Sequence, residues 1–225
     1  MAVPRVIAHR GASSDETENS LAAFRAAVRQ GADGIELDVH AAADGTIVVY
    51  HDAEIDGRAL AELTADDVRS FRLPNDEPIP TLGQALDTIG RDTDVFVELK
   101  ALALHHTGVF LDVLRAGPAP QRYRVHSFDH RVVARLHREQ PALGVGVLSC
   151  SYPVNPVAQI EAADAQVLWQ KAGMIDASLV DSVHAAGYRV FAWTVDDARR
   201  LRQLARLGVD ALCTNRPAHA REVLG

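Results

Sequence analysis

The sequence predicts a (β/α)8 barrel. Short runs rich in Val, Ile and Phe alternate with longer Ala-, Leu- and Arg-rich segments of helical period. About eight such β-then-α units fit along the chain, and a parallel sheet with that many crossovers closes most naturally into a barrel. Charged residues gather where the apolar runs end, the rim at which a barrel carries its chemistry. A doubly wound open sheet is the alternative.

The elements follow in order. A first strand over Val3 to Ala8 leads into "AHRG", and Ser20 caps a helix over Leu21 to Gln30 that "QGADG" stops with a glycine. A second strand covers Gly34 to Val39. Asp44-Gly45 then turns the chain into an extra short strand over Ile47 to Tyr50. Ala53 to Pro80, containing "LTADDV" and "PNDEPIP", reads as an insertion with one short helix. After a helix over Leu82 to Ile89, strands are predicted at Asp94 to Glu98, Tyr123 to His126, Gly144 to Leu148, Ala165 to Leu168, Arg189 to Trp193 and Ala211 to Cys213. Helices follow them at Thr107 to Ala116, Val132 to Gln140, Val157 to Ala162, Ala177 to Ala186, Ala198 to Leu207 and Ala218 to Leu224. Asp129 is a further N-cap, and the glycines of "AAGYR" and "RLGVD" end two of these helices. No low-complexity linker or second core divides the chain, so residues 1–225 read as one domain with a small insertion at about 53–80.

Composition narrows the function. Of 225 residues, 48% are apolar and 24% charged, with a net charge of -7, so no basic field attracts nucleic acid. The start, "MAVPRVIAHRG", has no apolar leader core, and no apolar run approaches the roughly 18 residues of a membrane span. The expectation is a cytoplasmic protein without stable membrane insertion; nothing in the sequence defines an oligomer. Cys150 and Cys213 belong to no paired-cysteine motif and read as buried, reduced thiols.

The strand ends carry the chemistry. The first closes on His9-Arg10. In "GIELDVH", Glu36 and Asp38 are two apart and project to one side of the strand, where two carboxylates repel unless a cation lies between them. "VFVELK" repeats the device with Glu98 and Lys100. Three carboxylates without cysteine favour a hard divalent cation, Mg2+ or Ca2+; the plainer alternative is a set of salt-bridged strand residues. His51, in "VVYHD", also closes an apolar run, and with His9 it supplies two imidazoles able to divide acid and base work. Trp193 lies at the rim, as a substrate wall or as packing. His40 is either near the site or solvent-facing, and His126 is a weak phosphate contact. His105, His106, His137, His184 and His219 read as helix-surface positions.

Together these segments resemble the glycerophosphodiester phosphodiesterase family: "AHRG", "ENS" at Glu18 to Ser20, "IELDV", "DGTIVVYHD", "PTL" at Pro80 to Leu82, "VELK", "SFD" at Ser127 to Asp129, "WTV" at Trp193 to Val195 and "TNRP" at Thr214 to Pro217. The resemblance implies metal-dependent hydrolysis of a small phosphodiester, such as glycerophosphocholine or glycerophosphoethanolamine, to glycerol 3-phosphate and an alcohol. It implies His9 as base and His51 as acid, Glu36, Asp38 and Glu98 on the metal, Arg10 and Lys100 on the phosphate, and Trp193 in the alcohol pocket. The sequence departs from the pattern at Thr17, where the family has proline, after "HD", where its arginine-threonine pair is missing, and at Asp196, where asparagine is usual. A lysophospholipid hydrolase on the same fold predicts an exposed apolar lip, which six Phe, two Trp and a polar insertion argue against. A non-catalytic binding barrel predicts loss of the histidines or carboxylates, and all five are present.

Overall fold

The computed structural model describes residues 3–225. Among them, eight parallel strands close into a barrel: β1 (Arg5–His9), β2 (Gly34–Ala41), β6 (Asp94–Ala101), β7 (Tyr123–Ser127), β8 (Gly144–Ser149), β9 (Val167–Lys171), β10 (Arg189–Trp193) and β11 (Ala211–Thr214). Closure is made by β1, which pairs with β11 on one side and with β2 on the other. A short strand, β3 (Ile47–Val49), lies antiparallel on the outer part of β2, as the turn at Asp44-Gly45 requires. The open doubly wound sheet is thereby excluded.

The helices are α1 (Leu21–Arg29), α2 (Ala65–Ser70), α3 (Leu82–Ile89), α4 (Thr107–Ala116), α5 (His130–Glu139), α6 (Pro156–Ala162), α7 (Ala177–Ala185), α8 (Ala198–Leu207) and α9 (Pro217–Leu224). Their starts follow from side chains that satisfy otherwise unpaired amides. Ser20 accepts from the Ala23 amide and Asp129 from that of Arg131. Gly31, Gly187 and Gly208 take positive φ of 71°, 85° and 86° where three helices turn back toward the sheet, a conformation that costs glycine little.

Most boundaries move by one to three residues relative to the sequence reading, and two of the shifts bear on the site or its neighbours. β1 starts at Arg5 and runs through His9, so the histidine is the last residue of the strand itself. β9 is predicted at Ala165 to Leu168 but occupies Val167–Lys171, because Asp164 adopts a left-handed φ of 50° and the turn uses up Ala165. Cys213 is buried as expected, but Cys150 is exposed, since it follows β8 in a loop.

The insertion contains a two-stranded hairpin, β4 (Glu54–Ile55) and β5 (Arg58–Ala59), and the helix α2. Ile55, Leu60, Leu63, Val68, Leu73 and Ile79 form a satellite core there with Ala42 and Val48. The main core fills the layer between strands and helices, while Ile7, Phe96, Leu148, Trp169, Phe191 and Cys213 pack inside the barrel.

Candidate active site

The side chains predicted from the strand ends come together at one mouth of the barrel. Because side chains alternate along a strand, Glu36 and Asp38 on β2, Glu98 and Lys100 on β6, and His126 on β7 all face inward. His9, at the end of β1, sits beside Glu36 in register. His9, Glu36, Glu98, His126, Trp193 and Cys213 line one cleft.

Four ion pairs, three of them buried or half-buried, organise the floor. Lys100 Nζ lies 2.6 Å from Glu98 Oε1 and 2.9 Å from Asp38 Oδ1. Arg10 Nε lies 2.9 Å from Asp38 Oδ2, and its Nη1 donates to Glu18 at 2.9 Å. Asp38 also accepts from Asn19 Nδ2 at 2.8 Å. Arg10 holds a φ of 56° and Asn19 one of 57°, backbone strain of the kind stored at functional sites. Burial alone would raise the Asp38 carboxyl, but Lys100 and Arg10 overcome it and hold the group below its usual range.

Glu36 and Glu98 are different. Burial, then the Asp38 and Glu98 charges, push Glu36 well above the usual carboxyl range. Burial and Asp38 likewise raise Glu98. Glu36 Oε1 is buried without a hydrogen-bond partner, and Asp38 Oδ1, although at ion-pair distance from Lys100, is not aligned for a hydrogen bond. The ligand atoms of Glu36, Glu98 and His126 lie within 4.8 Å of one another. Orphaned oxygens, crowded like charge and a set dominated by carboxylates fit a hard divalent cation. His126 completes this cluster, and Asp38 stands beside it, paired with Arg10 and Lys100. His126 stacks on Trp169 at 4.2 Å, and burial drops its pKa to about 3, so its ring is neutral and able to donate a nitrogen lone pair. Its sequence signal was its place two residues after Arg124 on an inward-facing alternation.

His9 is oriented by a relay that the sequence reading missed. Asp196 Oδ2 accepts from Asn215 Nδ2 at 2.7 Å, and Asp196 Oδ1 accepts from the Asn215 amide and the Thr214 hydroxyl at 2.8 Å each. With its NH2 committed to Asp196, Asn215 turns its oxygen toward His9 Nδ1 at 2.7 Å. Nδ1 therefore donates, and Nε2 keeps a free lone pair. Burial, then the Arg10 charge, lower the His9 pKa, so the ring is neutral at neutral pH.

His51 is placed apart. It follows β3, is half-exposed and pairs through Nδ1 with Asp52 at 2.7 Å. It does not line the cleft, but its charge is felt at Glu98. His40 Nε2 bonds the His51 carbonyl at 3.1 Å, which makes His40 a buried support for that loop. Trp193 donates to the Trp169 carbonyl at 3.1 Å and meets Phe128 edge-on at 5.6 Å. Beyond it the rim is apolar: Leu104, Phe128, Tyr152, Val154 and Met174 are exposed on loops after β6, β7, β8 and β9, consecutive strands of the barrel. Composition argued against such apolar residues at this end, yet five are exposed on these loops, and one of them, Phe128, touches Trp193.

Fold and site define a (β/α)8 enzyme built to handle an anionic ester at the C-terminal ends of its strands. Residues 9–219 match the profile of the glycerophosphoryl diester phosphodiesterase family. A glycerophosphodiester phosphodiesterase of Caldanaerobacter subterraneus subsp. tengcongensis is 30% identical, over 94% of each chain. A glycerophosphodiester phosphodiesterase structure from Parabacteroides distasonis superposes with a TM-score of 0.88 at 26% identity, covering 99% of this chain and 97% of that one. An Oleispira antarctica phosphodiesterase solved with the product sn-glycerol-3-phosphate superposes with a TM-score of 0.90 at 25% identity, covering 98% and 96%. This chain belongs to the glycerophosphoryl diester phosphodiesterase family. Among the described residues no helix is long and apolar enough to cross a membrane.

Proposed function

We propose that this protein hydrolyses water-soluble glycerophosphodiesters, such as glycerophosphocholine, to glycerol 3-phosphate and an alcohol, with residues 1–225 acting as one barrel and the excursion at about 53–80 carrying no separate activity. The observation that carries the reading is the oriented, neutral His9 beside crowded carboxylates and two cations at the mouth of a family barrel.

His9 Nε2 takes the proton from the attacking oxygen, while Asn215 and Asp196 hold the ring and its tautomer. His51, steadied by Asp52, returns a proton to the departing alkoxide. Arg10 and Lys100 face the phosphoryl oxygens and offset charge as it gathers in the transition state. Glu36, Glu98 and Asp38, with His126, would hold a divalent cation, Mg2+ or Ca2+, which would supply Lewis-acid polarisation of a phosphoryl oxygen when bound. Trp193 walls the alcohol side.

The test is release of glycerol 3-phosphate from glycerophosphocholine with Mg2+ or Ca2+, and its loss in His9→Ala. Full turnover in that variant overturns the reading.

The apolar rim favours one second reading, a substrate whose phosphodiester carries an aliphatic chain. Lysophosphatidylcholine cleaved faster than glycerophosphocholine, with a KM that rises in Phe128→Ala, would select it.

A further inference from the structure

The pole of the barrel opposite the active site carries a second charged pocket that hydrolysis does not use. Arg5, Arg124 and Arg189 stand at the N-terminal ends of β1, β7 and β10 and line a pocket of about 50 Å3. The carboxylate beside them, Asp94, is already shared: its Oδ2 accepts from Arg5 at 2.8 Å and its Oδ1 from Arg122 at 2.9 Å. Asp33 is likewise committed, to Arg221 at 2.6 Å and to the Val6 amide at 2.7 Å. Arg124 donates to the Gln121 and Tyr123 carbonyls, at 2.9 and 3.1 Å. Among the described residues, neither Arg124 nor Arg189 has a carboxylate within ion-pair distance.

Like charges crowded at one spot are costly unless an anion answers them. Burial, opposed by Asp94 and reinforced by Arg189, Arg5 and Arg122, pulls Arg124 below its ordinary pKa, in keeping with an excess of positive charge. The backbone makes room for this arrangement. A Cβ on Gly144 would stand 2.3 Å from Arg124 Cδ and 2.8 Å from its Nε, so the guanidinium stem lies flat across a position that only glycine leaves open. Phe96 and Phe191 close the inner side of the pocket, with the Arg5 guanidinium 5.9 Å from the Phe96 ring centre.

Planar guanidiniums lining one small pocket match the oxygens of a phosphoryl group. A second cavity of about 560 Å3 shares Arg5, Arg189 and Phe191 with the first and offers room for the body of a larger molecule; its other walls include Pro4, Leu207, Val209, Asp181 and an Asp210 already bonded to His184 and to the Val190 amide. We propose that this pole is a binding site for a phosphate dianion, either free phosphate or the end of a phosphomonoester, separate from the catalytic mouth. Two guanidiniums without a carboxylate partner, Arg124 and Arg189, beside the Asp94-paired Arg5 favour a dianion over the monoanionic diester that the mouth takes.

Calorimetric titration of the whole protein at pH 8 and fixed ionic strength tests this, with inorganic phosphate, phenyl phosphate and methanesulfonate as probes. Arg124→Gln, Arg189→Gln and Gly144→Ala should each weaken phosphate binding, by about tenfold or more for the arginine changes, while kcat and KM for glycerophosphocholine stay at wild-type values. Tighter binding of phenyl phosphate identifies a phosphomonoester; equal binding identifies free phosphate. Wild-type phosphate affinity in both arginine variants, or methanesulfonate binding as well as the dianions, overturns the proposal. Arg189 is exposed, so its variant remains informative if Arg124→Gln fails to fold.

Discussion

The two ends of the barrel are built from the same strands and carry opposite electrostatics. Reading inward residues from bottom to top, β1 gives Arg5, Ile7 and His9, and β10 gives Arg189, Phe191 and Trp193. On β6 the order is Asp94, Phe96 and Glu98, with Lys100 above. The lower end has more guanidinium than carboxylate, the upper end has carboxylates that its two cations do not fully answer, and an aromatic layer separates them. Phe96, Trp169 and Phe191 meet edge to face with ring centres 5.0 to 5.7 Å apart. The difference teaches that charge left unsatisfied inside a barrel marks a place for a ligand of opposite sign. Strand polarity then decides which of the two places performs chemistry.

The comparison can be broken from the top, from the middle and from below. The largest effect is expected from His9→Ala, which should lose roughly a hundredfold to ten-thousandfold in kcat, with a melting temperature close to wild type. Steady-state rates beside a thermal melt check both halves of that statement. Phe191→Ala attacks the separating layer and should cost about 3–5 kcal/mol by denaturant titration, because a buried ring is removed from a packed interior. Asp196→Ala should lower kcat by about tenfold to a hundredfold with little change in KM, since it frees Asn215 to rotate away from His9. Asp196→Asn, which can still accept from Asn215, should recover most of the rate; a KM effect or no rescue would refute the positioning role. The smallest effect belongs to Thr64→Ala at the start of α2, about 1 kcal/mol of stability from the lost capping box.

Much of this was legible in the sequence because period-2 alternation and helix caps are local signals. The eight strands, the Ser20 and Asp129 caps and the inward pairing of Glu36 with Asp38 follow from residues a few positions apart. The partition of the carboxylates was not legible. Whether Asp38 faces a metal or a pair of cations depends on Arg10 and Lys100 arriving from two other strands. The Asp196–Asn215–His9 relay joins neighbouring strands from opposite ends of the chain, with Asn215 206 positions beyond His9, and no local pattern encodes it. The apolar rim escaped a composition argument because its residues are few but consecutive around the mouth. The arginine pole escaped because each arginine looks, alone, like an ordinary strand-edge charge.

The satellite core gives the two imidazoles unequal lifetimes on heating. His9 ends a strand of the closed sheet, whereas His51 follows a hairpin propped by a small apolar group of the insertion, around Leu60, Leu63 and Val68. Small cores open at lower free energy than the sheet they border. With His51 as the acid, thermal inactivation should precede melting, and amide exchange at Leu60 to Val68 should track the lost activity while the barrel strands stay protected.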